Sequence, residues 1–429
     1  MRELLIILLA FSSIYLSAQE IKLLSDTTES GYQNLDNMGG PKSVGAQLVA
    51  NNERSAFYFR VPIKVTKPWY DFKKRVNENT GIQFGINYTS VFMYATQVIS
   101  DSNRNNTSGG ILDIQFGWNL VNRKAGKNKG TLFIKIDSRH TYGDFTSPMF
   151  HGINESGYYG LPATGFRTYT IRMLEFNWQQ NFIKDKLTVI VGKVDPTNYF
   201  NFHGLIVPWQ HYLGYGTSVS GTVNWPDMGF GILAGYKFSD KFYAMAGLTD
   251  VRGDVYTDGD FLYFGENFFK GNFFKVIEVG FVGSMAERYF KKVSLTYWHS
   301  DPYTSVSDAE IPMGQGIAFS SHWFFKERFI PFVRVAFSNG NGENAFYKRD
   351  IQVGHGFRFR THDILAIAFS TAQTNVPGSK EQSTMEIFYR FNLTEHFEIT
   401  PDYQLVINPT FNPNHNTLSY FGIRGRITL

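Results

Sequence analysis

The 429-residue chain contains no cysteine. That excludes disulfide frameworks, thiol nucleophiles and cysteine–zinc sites together. Beyond its first residues it also lacks any apolar run of about 18 residues, so no later segment is read as a transmembrane helix. Charge is sparse and balanced. Asp, Glu, Lys and Arg make up 18% of residues, and the net charge of +4 is too small and dispersed to favour nucleic acid. Catalytic signatures are missing as well, with neither a nucleophile elbow nor an HExxH pattern. Gly229-Phe230-Gly231 falls inside an alternating segment, not ahead of a helix, which argues against a nucleotide loop. His203 and His211 share one stretch but lack a third ligand, so no metal is expected there. Asp254, Asp258 and Asp260 around Gly259 read as a solvated acidic loop, with calcium binding as the alternative. No cofactor is expected.

What the chain does have is aromatic residues, 17% of the total, and a period of two. Between His396 and Asn408 the odd positions are Phe397, Ile399, Pro401, Tyr403, Leu405 and Ile407, while the even ones include Glu398, Thr400, Asp402 and Gln404. Successive side chains of a strand point to opposite faces, so this stretch has one greasy and one wet face. The closing segment repeats the pattern, with Phe421, Ile423, Ile427 and Leu429 opposite Arg424 and Arg426. A soluble sandwich rarely turns two arginines and two carboxylates toward its core. A membrane barrel, with lipid outside and water inside, needs this alternation in every strand.

Taken in order, residues 1–18 read as a signal peptide: Arg2, an apolar core from Leu4 to Phe11, and Ser17-Ala18 before Gln19. Residues 19–80 read as a loosely structured periplasmic lead-in. It ends in a short amphipathic helix from Pro68 to Asn79, whose Lys73, Lys74 and Arg75 form a solvated face. Residues 81–429 then supply strands. Phe84, Ile86, Tyr88 and Phe92 oppose Gln83, Asn87 and Thr89; Leu112, Ile114, Phe116, Trp118 and Leu120 oppose Asp113, Gln115 and Asn119. Leu132, Ile134 and Ile136 oppose Lys135, Asp137 and Arg139. Further strands follow at 168–179, 186–194, 228–238, 241–249, 272–284, 291–300, 314–325, 329–338, 350–360, 363–373 and 382–392. With the closing pair at 396–408 and 417–429 the expectation is sixteen, an even number that leaves both termini on the periplasmic side. In 168–179, Ile171 and Met173 oppose Arg172 but Phe176 and Trp178 share its parity, so a bulge is needed to flip the faces. The connections sort by parity. Short ones at 239–240, 326–328, 361–362 and 394–395 alternate with long ones such as 140–167, 195–227 and 250–271. The fold expected is therefore all-β, a transmembrane antiparallel barrel with short periplasmic turns and long outer loops.

Several residues resemble one family in particular. They are Glu386 and Tyr389, the run Thr400-Pro401-Asp402-Tyr403-Gln404, Asn408-Pro409, and Gly422 with Arg424. Upstream they include Gly81-Ile82, Trp178, Gln180 and the LTVIVGK stretch 187–193. Together these resemble the OprB-type carbohydrate-selective outer-membrane porins, most strongly from Met385 onward. The resemblance implies a passive channel for mono- or oligosaccharides in the bacterial outer membrane, inserted by the barrel assembly machinery. It also implies an arginine and an acidic residue at the constriction. The last residue, Leu429, departs from the aromatic that outer-membrane barrels usually carry there.

Two sets of residues are candidates for function. Lys135, Asp137, Arg139, Arg172, Arg334, Arg358, Glu386, Arg390, Arg424 and Arg426 have lumen-facing parity, because an Arg or Lys turned to lipid costs about 2–4 kcal/mol at the midplane. Their alternative role is a ladder of ion pairs that stiffens the wall. The second set lies in 195–227, a connection too long for a compact protein to keep without purpose. Phe200, Phe202, Trp209, Tyr212 and Trp225 there are candidate sugar platforms; the alternative is that they pack the loop onto the wall. Small sugars and membrane lipid are the expected partners, and further copies of the chain, as a homo-oligomer, are compatible with the pattern. The competing readings are a general diffusion porin, a barrel enzyme of protease or lipase type with its site at the loop rim, and a secreted all-β adhesin.

Overall fold

The structure, a computed structural model, describes residues 29–53, 59, 61, 63–254, 260–326, 328–359 and 363–429. The signal-peptide segment and the Asp258-Gly259 part of the acidic stretch lie outside the described residues.

Sixteen antiparallel strands close into a barrel. The first nine are β1 (Ile82–Ala95), β2 (Asn106–Val121), β3 (Gly130–Thr141), β4 (Tyr169–Phe182), β5 (Leu187–Val194), β6 (Gly229–Lys237), β7 (Phe242–Asp250), β8 (Phe273–Val282) and β9 (Lys291–Ser300). A separate two-stranded ribbon follows in a loop, β10 (Tyr303–Thr304) with β11 (Glu310–Ile311). The wall resumes with β12 (Gly314–Trp323), β13 (Phe329–Ser338), β14 (Tyr347–Arg358), β15 (Ile364–Thr374), β16 (Gln382–Asn392), β17 (Phe397–Ile407) and β18 (Thr417–Thr428). The seam is β1 on β18, from Asn87 opposite Thr428 to Ala95 opposite Tyr420. The number of strands and their order are those the alternation predicts.

The two faces separate as expected. On β17, Thr400, Asp402 and Gln404 are buried inward while Pro401 is exposed; on β18, Arg424 and Arg426 are buried while Ile423 and Ile427 are nearly half exposed. Apolar side chains such as Phe92, Ile171, Ile277, Leu295, Phe337, Ile367 and Phe421 are exposed around the whole outer wall. A soluble monomer rarely shows so continuous an apolar surface, whereas a barrel bathed in hydrocarbon requires one. Among the described residues no helix is long and apolar enough to cross a membrane, which leaves crossing to the strands.

The bulge required in β4 is present. Lys135 pairs with Glu175 and Ile136 with Met173, so Leu174 is the extra residue; Leu174 and Glu175 are both buried, and the faces flip there. The longest connections, 142–168, 195–228 and 251–272, emerge at one end, and tight turns such as 183–186 and 238–241 close the other. The sorting is not strict, since the 283–290 turn is longer than the outer connection 375–381.

The lead-in differs from expectation. Residues 29–53 are not loose but folded, with helix α1 (Val44–Ala50) capped by the Ser43 hydroxyl, which accepts from Ala46 N. Helix α2 starts at Ile63, not Pro68, and runs to Thr80. It accommodates Pro68 in its second turn, forgoing the hydrogen bond that Pro68 has no N–H to make. Trp69 and Phe72 pack on Phe84 with ring centroids 5.8 and 6.1 Å away. Lys73 is not on a solvated face: it is fully buried, donates to Asn52 Oδ1 at 2.8 Å and lies 5.3–5.7 Å from the Trp69, Tyr32 and Phe84 rings. Burial without a carboxylate partner pushes its pKa down to about 7. Gly81 turns the chain from α2 into β1 with φ +79°, and a Cβ there would sit 2.7 Å from Asn119 O. Only glycine fits that corner without strain.

Candidate functional site

The inner wall carries its charges in clusters, and each cluster touches something that folds inward. On β2 and β3, Lys135 Nζ lies 3.3 Å from Asp113 Oδ2, and Arg139 NH2 lies 2.7 Å from Asp137 Oδ2. Arg139 also donates to Gly165 O at 2.6 Å, and the Tyr169 hydroxyl donates to Asp137 Oδ1 at 2.6 Å. On the next strands, Arg172 and Lys193 both reach Asp254, at 2.9 and 2.8 Å. That aspartate of the acidic stretch is therefore ion-paired and buried rather than solvated. Among the described residues no group of three or more His, Asp and Glu is arranged to hold a metal.

The connection 195–228, between β5 and β6, bends into the barrel and is buried along almost its whole length. Buried backbone must find partners, and here the wall charges supply them. Glu175 accepts from Asn198 Nδ2 at 2.8 Å, and Glu278 accepts from Asn201 N at 2.6 Å. Arg334 donates to Asn201 O at 2.7 Å and to Ser218 O at 3.2 Å. Glu386 accepts from Leu213 N at 2.5 Å, from Gly214 N at 3.1 Å and from the Thr217 hydroxyl. Arg424 donates to Pro208 O. Each of these charged groups thus has at least one partner among loop groups or a second charge, as Glu278 has Lys292 at 2.8 Å, while Glu175 Oε2, Arg334 Nε and Arg424 Nε are buried without a hydrogen bond among the described residues.

All ten wall candidates face inward. Lys135, Asp137, Arg139, Arg172, Arg334, Glu386, Arg424 and Arg426 are at most 5% exposed. They lie beneath the inward loop, the N-terminal segment or, for Arg139 and Arg172, the outer connections that hold Gly165 and Asp254, so water does not solvate this face as expected. Arg358 and Arg390 are the partly exposed pair. They line a cavity of about 1130 Å³ that also takes in Arg288, Arg426, Glu53 and Glu398. Arg390 and Arg426 lie 4.0 and 3.4 Å from the two oxygens of Glu398. His211, at the cavity edge, is held well below its ordinary pKa by burial and by the Arg390 charge, and is neutral.

The five loop aromatics are buried against protein. Phe202 lies under the Lys292 ammonium at 3.6 Å, Trp209 under Lys135 at 4.7 Å while donating to Gln47 Oε1 at 3.0 Å. Tyr212 packs on Phe388 and Phe332, Trp225 on Phe274, and Phe200 joins the same apolar cluster as Trp225. These contacts fit the packing alternative better than open platforms. Glu278, Lys292 and Asp350 have readable lumen parity, but partners across strands or in the loop are not readable, as with Lys292 and Asn201 N for Glu278. Arg288 sits in a turn, where no alternation marks it, and donates to Met38 O.

Residues 334–429 match the family model described as "Carbohydrate-selective porin, OprB family". A curated relative, Porin AaxA of Chlamydia pneumoniae, is 29% identical over 76 residues; the match covers 16% of this chain and 17% of that protein. Among solved structures, the high-pH structure of Pseudomonas putida OprB is similar over 88% of this chain and 99% of its own, at 12% identity and a TM-score of 0.67. The low-pH structure of the same protein covers 85% and 97% at 11% identity, with a TM-score of 0.52. At such identities the likeness is one of fold.

Proposed function

We propose that the chain, whose C-terminal quarter matches the carbohydrate-selective OprB-type porin family, is a passive outer-membrane channel for mono- or oligosaccharides. The observation that carries this reading is the long connection 195–228, folded into a sixteen-strand barrel and pinned to the wall by Glu175, Glu278, Arg334, Glu386 and Arg424. A loop held there narrows the cross-section, and a channel discriminates at its narrowest point. The partly exposed Arg358, Arg390, Glu53 and Glu398, with Arg426 buried in the wall beside them, fit hydroxyl-rich, uncharged solutes, since guanidinium donors and carboxylate acceptors face one cavity. No energy source or cofactor enters this reading. Residues 1–18 are taken as the cleaved export signal, and the barrel assembly machinery and membrane lipid as the partners that insertion requires.

The channel reading is tested in a planar bilayer. The purified protein should give discrete ion conductance that millimolar hexose or glucose disaccharide partly blocks. Conductance without any sugar effect would favour a general diffusion porin. Hydrolysis of lipid or peptide by a non-conducting protein would favour the barrel enzyme.

A further inference from the structure

We propose that residues 29–53 are part of the permeation filter, a lumen-resident plug that closes one side of the periplasmic mouth and leaves an off-centre opening. This rests on the channel reading but goes beyond it. On the wall, the segment meets inward-facing groups near the strand ends that lead into the short turns. Leu48 of α1 lies over Gly85 of β1 and Gly117 of β2, and clusters with Tyr32 and Phe133 of β3. Asn37 donates to Thr188 Oγ1 of β5 at 2.7 Å, and Met38 lies against Gly235 of β6. Arg288, in the turn after β8, donates to Met38 O and, at 3.3 Å, to Gly39 O.

The segment also grips the inward loop. Gly40 N donates to Asn198 O at 2.6 Å, Lys42 Nζ donates to Thr197 Oγ1 at 2.5 Å, and Gln47 accepts from Trp209. Plug and loop therefore form one obstruction, stacked along the channel. Asn51, which accepts from Arg426 of β18 at 2.6 Å, marks the plug's edge. Beside it the cavity described above opens, walled by plug residues, by the inward loop at Gly204 and His211, by the turn that holds Arg288 and by β13–β18. Two glycines lie under α1. At Gly85 and Gly117 the nearest Leu48 atom is 3.4 Å from where a Cβ would be, which is van der Waals contact, so α1 is seated directly on the inner wall there.

The test uses full-length protein, deletion of 29–53, and the absence of native cysteine. In planar bilayers the deletion should raise single-channel conductance roughly twofold or more and admit larger solutes, because the narrow section widens. A deleted barrel that assembles, by its altered gel mobility before boiling, yet conducts as the full chain does would overturn the proposal. If the deletion does not assemble, Gly85→Cys in the full chain decides. Under the plug, this thiol should react with a charged, membrane-impermeant thiosulfonate roughly tenfold slower or more than Ser102→Cys on an outer loop. Equal rates would overturn the proposal. Failure of the channel reading looks different: no conductance in either form, with the Gly85→Cys thiol still shielded.

Discussion

Glu386 offers the sharpest single perturbation of the inward loop. Its carboxylate takes three donors from one short stretch: Leu213 N, Gly214 N and the Thr217 hydroxyl. Glu386→Ala leaves all three without that acceptor in a place where Leu213 and Thr217 have no exposure. The Thr217 hydroxyl keeps Gly214 O as an acceptor at 3.0 Å, so two amides are left, and at about 1–3 kcal/mol for each unsatisfied buried group the lower bound is about 2 kcal/mol against the docked loop. The β15–β16–β17 ladder does not depend on this side chain, since its backbone pairs run Ala368–Glu386–Gln404 regardless of it. Barrel assembly should therefore survive while the loop loosens. Hydrogen exchange in detergent reads this directly. A loss of about 2 kcal/mol should speed exchange of the Leu213 and Gly214 amides roughly thirtyfold, with strand amides unchanged. Unchanged exchange at 213–214 in an assembled Glu386→Ala barrel would refute the anchoring argument. Loss of every protected strand amide would refute the claim that loop and wall are separable.

Other perturbations separate faces and segments. Ile134→Arg places a charge on the lipid side and should cost about 2–4 kcal/mol near the midplane, read as a lower urea midpoint for unfolding from vesicles. Arg139→Ala now carries a stability cost too, because it strips Asp137 of its buried ion pair; about 3–5 kcal/mol is expected, not the purely conductive effect a solvated face implies. Gly81→Val should slow or block assembly on gels, since a Cβ at φ +79° meets Asn119 O at 2.7 Å. Glu53 supplies a pH dependence: burial, opposed by the Arg358 charge, raises its pKa to about 7 from 4.5. The packed state then holds this proton more tightly than the released one, so docking is strongest below about 4.5 and weakens as pH rises to 7. Labelling of Gly85→Cys relative to Ser102→Cys should be faster at about pH 8 than at about pH 5.5, and Glu53→Gln should flatten the difference. Slower labelling at the higher pH would contradict it.

The wall was legible because its signal is local. Lys135, Asp137 and Arg139 alternate with Ile134 and Ile136 within one strand, and β4 announced its bulge by the shared parity of Arg172 and Trp178. What those charges touch was not legible, because the partners lie far along the chain: Arg334 finds Asn201 O, and Arg424 finds Pro208 O. The plug was misread for a related reason. Residues 29–53 pack against protein on several sides at once, so no single greasy stripe marks them. A weak signal was present in Ser43 followed by Val44 and Leu48, a capped turn with two apolar residues four apart. Lys73 shows the limit of composition, since three neighbouring rings and Asn52 take up a charge that the run Lys73-Lys74-Arg75 places in water.

The central claim is sugar passage, and liposome swelling measures it most directly. Vesicles carrying the protein should swell faster in hexose and disaccharide than in uncharged non-sugar solutes of matched size, and protein-free vesicles should not respond. Equal swelling in sugars and matched solutes, or none in either from a correctly assembled barrel, would contradict the account.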